Sequence, residues 1–203
     1  MSLVTIPRGR YGDVVSTTNE SRERLVAAAR DLYASQGVGA TSPRQVLAAS
    51  GVGQGSLYHH FPAKHDLALA AVSATVADSL AAATGELGGD RPALDRLRAY
   101  LERPRDTANG CRIGRLTSDQ TVMSDAELAA QVGSYFSGLV ECLTEVFVEA
   151  GVPDGAASDR AYAALAIVQG GYVLARALAD PTAMQRAVRG FVSMLAPAPE
   201  ETA

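Results

Sequence analysis

The sequence predicts an all-α protein in which a small N-terminal helix-turn-helix unit is followed by a larger helical domain. Three observations carry that expectation. Apolar residues recur at helical spacing along most of the chain, with no strand-like alternation of useful length and no internal repeat. Glycine and proline fall where helices must end. Two short helical segments are separated by a tight glycine turn, the arrangement of a helix-turn-helix.

The 203 residues, 47% of them hydrophobic, suffice for a small domain joined to a larger one. The expected boundaries are an arm at residues 1–18, a helix-turn-helix unit at 19–66 and a larger helical domain at 67–198. The arm mixes Pro, Gly, Arg and Thr without period, and its Arg8 and Arg10 suit a solvated tail better than a DNA contact. A first helix is expected over Arg22–Gln36 from Leu25, Ala29, Leu32 and Tyr33, ended by Gly37.

Ser42-Pro43-Arg44-Gln45 combines an N-cap hydroxyl, a proline at the first helical position and a glutamine at the third. This is a capping box, so a second helix starts there and stops at Gly51. A third segment is centred on Gln54–His59, and Pro62 forbids its continuation. Lys64 opens an alanine-rich helix to about Ala83, and Pro92 starts a short one with Leu94, Leu97 and Leu101 on one face. Residues 103–124 are irregular, with one helical piece around Ile113–Thr117. Ser124-x-x-Glu127 reads as a second capping box for a stripe from Leu128 to Gly151, and two last helices cover Ser158–Ala179 and Thr182–Leu195.

Net charge is −4 overall, but residues 1–66 carry seven Arg/Lys against five Asp/Glu, and the remainder eleven against seventeen. A cationic unit joined to an acidic one suggests that only the first meets phosphates. The two cysteines, Cys111 and Cys142, form no CxxC and lie near no histidine, so they are read as small buried apolar residues, and no metal or cofactor is expected. No apolar run of about 18 residues and no signal-peptide centre is read, which leads to the expectation of a soluble, cytoplasmic protein with no membrane partner. Catalysis is not expected. Gly51-Val52-Gly53-Gln54-Gly55-Ser56 has serine where a dinucleotide loop needs glycine, and GxSxG and HExxH are absent.

The segment GVGQGSLYHHFPAK at Gly51–Lys64, preceded by TSPRQVLAAS, resembles the DNA-binding domain of TetR-family regulators. GCRIGRLTSD at 110–119 and IVQGGYVLARALADP near the C-terminus look like its LmrA-like branch. The resemblance implies a homodimeric transcriptional regulator, a repressor released from a palindromic double-stranded operator by a small-molecule effector. A DNA-binding dimer without such an effector, or an activator, stays open.

The DNA-binding candidates are Ser42, Arg44, Gly53, Gln54, Ser56, Tyr58, His59 and Lys64. A recognition helix presents its leading residues to base edges, where Gln54 and Ser56 stand. Gly53 allows close backbone approach. Tyr58 and His59 offer donors to phosphates, and Lys64 adds its charge at a helix N-terminus. Ser42 caps the second helix or meets a phosphate, and Arg44 reaches a base or a phosphate. His60 is read as packing on the core.

The effector-site candidates are Leu97, Tyr100, Ile113, Leu116, Met123, Tyr135, Phe136, Leu139, Gln169 and Tyr172, apolar walls with a few polar handles; each also suits ordinary core. The last two helices carry broad apolar faces that need a partner, and Gly170 and Gly171 suit close helix contact there, so an isologous dimer is expected.

Overall fold

A computed structural model describes the backbone of residues 11–195. All regular elements among them are helical: α1 Tyr11–Gln36, α2 Pro43–Ser50, α3 Gln54–His60, α4 Lys64–Leu87, α5 Ala93–Glu102, a 3-10 turn Gly114–Ser118, α6 Gln120–Met123, α7 Ala126–Glu149, α8 Asp154–Ala177 and α9 Thr182–Leu195. The chain divides into two compact units, one up to Ala71 and one from Val72. The division falls inside α4, five residues past the expected boundary at 66 and 67.

In the first unit, α2 and α3 pack on α1. Leu25, Ala29 and Tyr33 of α1, Val46 of α2, Leu57 of α3 and Phe61 form its buried interior. The capping box at α2 is present in full: Gln45 N–H donates to Ser42 Oγ at 3.3 Å, and Ser42 N–H to Gln45 Oε1 at 2.7 Å. α1 begins at Tyr11, well before the expected Arg22 and inside the stretch assigned to an arm. No glycine or proline interrupts residues 13–36, so nothing ends the helix there. Arg8 and Arg10 lie outside the described residues.

Burial pushes the Tyr33 hydroxyl up from 10.0 to about 12. The folded protein therefore keeps this proton in a range where the unfolded chain has lost it. The stability it represents is complete below pH 10 and is lost as pH rises through the window from 10 to 12, by about 2–3 kcal/mol. Guanidinium unfolding at pH 8 and pH 11.5 should show a smaller pH-dependent loss for Tyr33→Phe than for the parent. Equal losses would contradict it.

In the second unit, α7 packs on α8, α8 on α9, and α5 on both α7 and α9. Leu97 and Leu101 of α5, Leu139, Leu143 and Phe147 of α7, and Ala161 and Ala164 of α8 are fully enclosed. α4 runs past Ala83 to Leu87 despite Gly85. A single helical glycine costs about 1 kcal/mol relative to alanine, and burying Leu87 offsets it.

Arg96, only 5% exposed, closes that end. It donates to the Leu87 carbonyl at 2.6 Å and the Arg91 carbonyl at 2.9 Å, and pairs with Glu149 of α7. One charge thus satisfies orphan carbonyls and ties α7 to the α4–α5 connection.

Three sequence expectations need correction here. Asp125, not Ser124, caps α7: its carboxylate accepts from Glu127 N–H and Leu128 N–H, both at 3.0 Å. The Ser124 hydroxyl instead donates back to the Gln120 carbonyl at 2.6 Å, ending α6, a helix the sequence did not announce. α8 begins at Asp154, ahead of Ser158, because Pro153 is preset for a helix start. α4 also contains an 18-residue window of mean hydropathy 1.5, long and apolar enough by composition to cross a bilayer, contrary to the reading of no such run. Its alanines supply that value, and 39% of the window is buried within the protein.

Candidate DNA-binding face and effector cavity

The turn between α2 and α3 is built by Gly51, whose φ of 65° is left-handed and whose N–H donates to the Leu47 carbonyl at 3.0 Å. A side chain there would also collide with the Arg24 guanidinium, which donates to the Ser50 carbonyl at 2.5 Å. Arg24, on α1, therefore holds the last carbonyl of α2. The sequence showed it only as one cation among several.

α3 is anchored by buried Leu57 and by Phe61, over whose ring Arg22 lies at 5.4 Å. Its opposite side projects Gln54, Tyr58 and His59 into solvent, with Ser56 half-buried between them. A Cβ placed on Gly53 or Gly55 would meet nothing within 4 Å. Nothing within the chain requires glycine at these positions. Arg44 is exposed on α2. Ser42, also exposed, has its hydroxyl engaged with Gln45 Oε1 at 2.8 Å.

At the start of α4, Lys64 Nζ donates to the Gly39 carbonyl at 3.4 Å. The Ala63 N–H already donates to Asp66 at 2.8 Å, so one of the free amide groups expected to meet a phosphate is occupied by a carboxylate. His60 is half-buried as expected, its Nε2 enclosed without a hydrogen-bond partner, and its ring lies 6.3 Å from that of Phe61.

The second unit holds a cavity of about 550 Å3 between the 110–118 segment, α7 and α8. Phe136, Tyr172 and Val173 give it ring and aliphatic wall; Cys111, Arg115 and Gln169 give it polar groups. That volume suits a small organic ligand. Glycine is needed at 114 because any side chain would strike Gln169 Oε1 and Cys111.

Beside the cavity, the phenols of Tyr100, Tyr135 and Tyr172 come from three different helices, and each feels Cys111 electrostatically. Burial pushes all three hydroxyls above their ordinary pKa; Cys111 adds to the rise and Arg103 opposes it. Arg105, whose own pKa burial lowers, donates to the Tyr100 and Leu101 carbonyls at 2.6 Å and so caps α5.

Comparison with known proteins bears on both units. Residues 25–71 match the family described as bacterial regulatory proteins, tetR family, and residues 91–189 match the C-terminal domain of LmrA/YxaF-like transcriptional regulators. The chain belongs to the TetR family. Like its relatives, this TetR-family chain is a DNA-binding transcriptional regulator. It is 27% identical to the HTH-type transcriptional regulator LmrA of Bacillus subtilis, over 81% of this chain and 87% of that protein. It is 28% identical to the uncharacterized HTH-type transcriptional regulator Rv0196 of Mycobacterium tuberculosis, over 86% and 93% respectively. Among solved structures, a TetR transcriptional regulator from Chloroflexus aurantiacus superposes with a TM-score of 0.73 at 27% identity, covering 89% of this chain and 96% of that one.

Within this TetR-family fold the effector-site candidates separate. Phe136, Gln169 and Tyr172 line the cavity. Tyr100 and Tyr135 lie beside it. Leu97, Ile113, Leu116 and Leu139 are enclosed core, held by packing around the site. Met123 is 45% exposed at the end of α6, where the unannounced helix turns it to solvent, and it does not line the cavity. Cys111, read as buried and apolar, is half-exposed on the cavity wall, and Cys142, also half-exposed, lies 3.5 Å from Thr84 Oγ1. The flanking Gly110 and Gly114 were the sequence signal for an open site at Cys111.

Of the two glycines expected to ease helix contact, Gly171 does so within the chain, since a side chain there would press on Met184 of α9. Gly170 is open on the outer side. Among the described residues no group of three or more His, Cys, Asp and Glu is placed to hold a metal ion.

Proposed function

We propose that this TetR-family regulator is a cytoplasmic repressor that binds a near-palindromic operator as a homodimer and is released by a small molecule in the effector cavity. The observation that carries the DNA part is the leading end of α3. Gln54 stands exposed between Gly53 and Gly55, whose Cβ positions are empty, with Leu57 anchoring the other side of the helix. This geometry lets a short helix enter a major groove, where glutamine makes a bidentate contact with adenine. Tyr58, His59, Arg44 and Lys64 surround it as donors to phosphates or, for Arg44, to a base.

The second copy covers the outer side of α8 and α9, where Tyr162, Leu174, Leu178 and Met194 are exposed. The cavity favours a ligand-gated repressor over a ligand-free one. Its occupant is a small, largely apolar molecule with a few polar groups. Such a ligand weakens DNA binding only by binding the released state more tightly.

The test is a mobility shift with fragments flanking the gene that encodes the protein. Lys64→Ala should weaken binding to every fragment alike and lower the salt slope by about one. Gln54→Ala should change base preference at one position by about 1–3 kcal/mol. Unaltered preference would move direct reading to Arg44 or Ser56, and an absence of saturable binding by the parent would overturn the repressor reading.

A further inference from the structure

We propose that the second unit carries a further ligand site, in which Arg105 and Arg189 hold the carboxylate of a small aliphatic acid between the end of α5 and α9. The site is a cavity of about 390 Å3 that shares no lining residue with the one at 110–118. It stands apart from the repressor reading, because what it predicts is binding and not release from DNA.

Two observations carry it. The first is a gathering of cations in an acidic part of the chain. Residues 67–203 hold eleven Arg/Lys against seventeen Asp/Glu, yet Arg103, Arg105 and Arg189 all line this one cavity, with Glu102 as its single acid. Arg103 is matched, since it donates to Glu86 Oε1 at 2.5 Å. Arg105 is half-buried and, among the described residues, pairs with no carboxylate. Three of its five N–H groups are spent on the Leu101, Tyr100 and Arg103 carbonyls, at 2.6, 2.6 and 3.2 Å. Its Nε–H and the remaining Nη2 hydrogen have no acceptor among those residues. The guanidiniums of Arg103 and Arg105 also lie over one ring, 4.9 and 5.4 Å from the centre of Tyr100. Burial first and the Arg103 charge second lower the Arg105 pKa. Two like charges thus stand close together with one carboxylate, Glu86, between them, and an anion beside Arg105 offsets the repulsion.

The second observation is the floor. Leu101, Met184 and Val188 are each at most 4% exposed, and each still borders the cavity. An apolar floor beneath free guanidinium donors suits an alkyl chain that ends in an anion. Charge selects the head group. Arg105 and Arg189 less Glu102 leave one positive charge, which a carboxylate neutralises and a phosphate monoester, mostly dianionic at neutral pH, exceeds. The mouth also lies away from the surface assigned to a second copy. Gln185 and exposed Arg189 border the cavity from one side of α9. Met194, about two and a half turns after Gln185, faces the opposite side.

The experiment titrates the full chain calorimetrically with hexanoate, hexanol and hexyl phosphate, and follows the methyl resonances of isotope-labelled methionine. The expected result is one hexanoate per chain, bound about tenfold tighter than hexanol, the ratio for one charge-assisted hydrogen bond, and tighter than hexyl phosphate. Met184 should shift on titration while Met123 and Met194 stay in place. Arg189→Gln, a change on the exposed side of α9, should fold and weaken hexanoate by about tenfold without altering hexanol. Arg105→Gln should weaken it at least as much, with its thermal midpoint measured alongside because Arg105 also caps α5. Equal affinity for acid and alcohol would reduce the site to an apolar hollow, and a preference for hexyl phosphate would overturn the head group. Undiminished hexanoate binding by Arg189→Gln, or an unmoved Met184, would place the ligand elsewhere. No saturable heat at millimolar hexanoate would overturn the site. Operator binding enters none of these measurements, so a failure of the repressor reading leaves them standing.

Discussion

Leu174→Glu is expected to leave the protein folded but monomeric and to weaken operator binding by at least about a hundredfold. Leu174 sits on the outer side of α8 and is 45% exposed. A glutamate at a solvated position changes the stability of one chain by about 0.5 kcal/mol or less. Placed in an apolar contact between copies, it must be desolvated twice, once per protomer of an isologous dimer. The loss in DNA binding follows from geometry. Two linked recognition helices bind successive half-sites, the second at an effective concentration that multiplies affinity by about 10²–10⁴. Sedimentation equilibrium would show the loss of the dimer and the mobility shift the loss of affinity. A Leu174→Glu protein that remains dimeric with full operator affinity would place the interface elsewhere.

The helix-turn-helix was legible in the sequence because its rules are local. Ser42, Pro43 and Gln45 make their capping box within four residues, Gly51 supplies its own turn, and Pro62 stops α3 by itself. What escaped reading depended on residues far apart in the chain. Arg24 acts on a carbonyl at position 50, and Arg96 joins Leu87, Arg91 and Glu149. Even within short range, two caps competed at Ser124 and Asp125. The carboxylate accepts from two amide groups at once, whereas a serine hydroxyl donates as readily to the preceding turn.

The lining of the cavity in the second unit was half legible for the same reason. Phe136, Gln169 and Tyr172 lie on helices whose apolar stripes could be read from periodicity, and the wall needed only their outward neighbours. Periodicity does not distinguish a residue that lines a void from one that fills it, which is why Leu97 and Leu139 carried the same signal. Cys111 was misread because a cysteine in an apolar neighbourhood is ordinarily inert. Its surroundings include Gln169, which approaches Gly114 too closely for any side chain there, a contact that spans 55 positions.

Phe147→Ala should cost the second unit about 3–5 kcal/mol. Phe147 has no exposed surface and lies on α7, which packs on both α5 and α8, so the truncation leaves a hole bounded by helices with little freedom to close it. Its backbone is fixed as well: the Phe147 carbonyl accepts from Val152 N–H at 3.0 Å across the left-handed Gly151 turn. The cost should fall on the second unit and spare the first, whose buried interior is drawn from α1 to α3 and from Leu67, Ala68 and Ala71 at the start of α4. Thermal unfolding followed at both ends, by a reporter on α2 and by one on α7, separates the two. A midpoint lowered at α7 and unchanged at α2 would mean that the units unfold independently. Equal lowering at both would mean that the continuous α4 couples them into one cooperative transition. An effector unit unmoved by the substitution would show that α7 repacks around the missing ring.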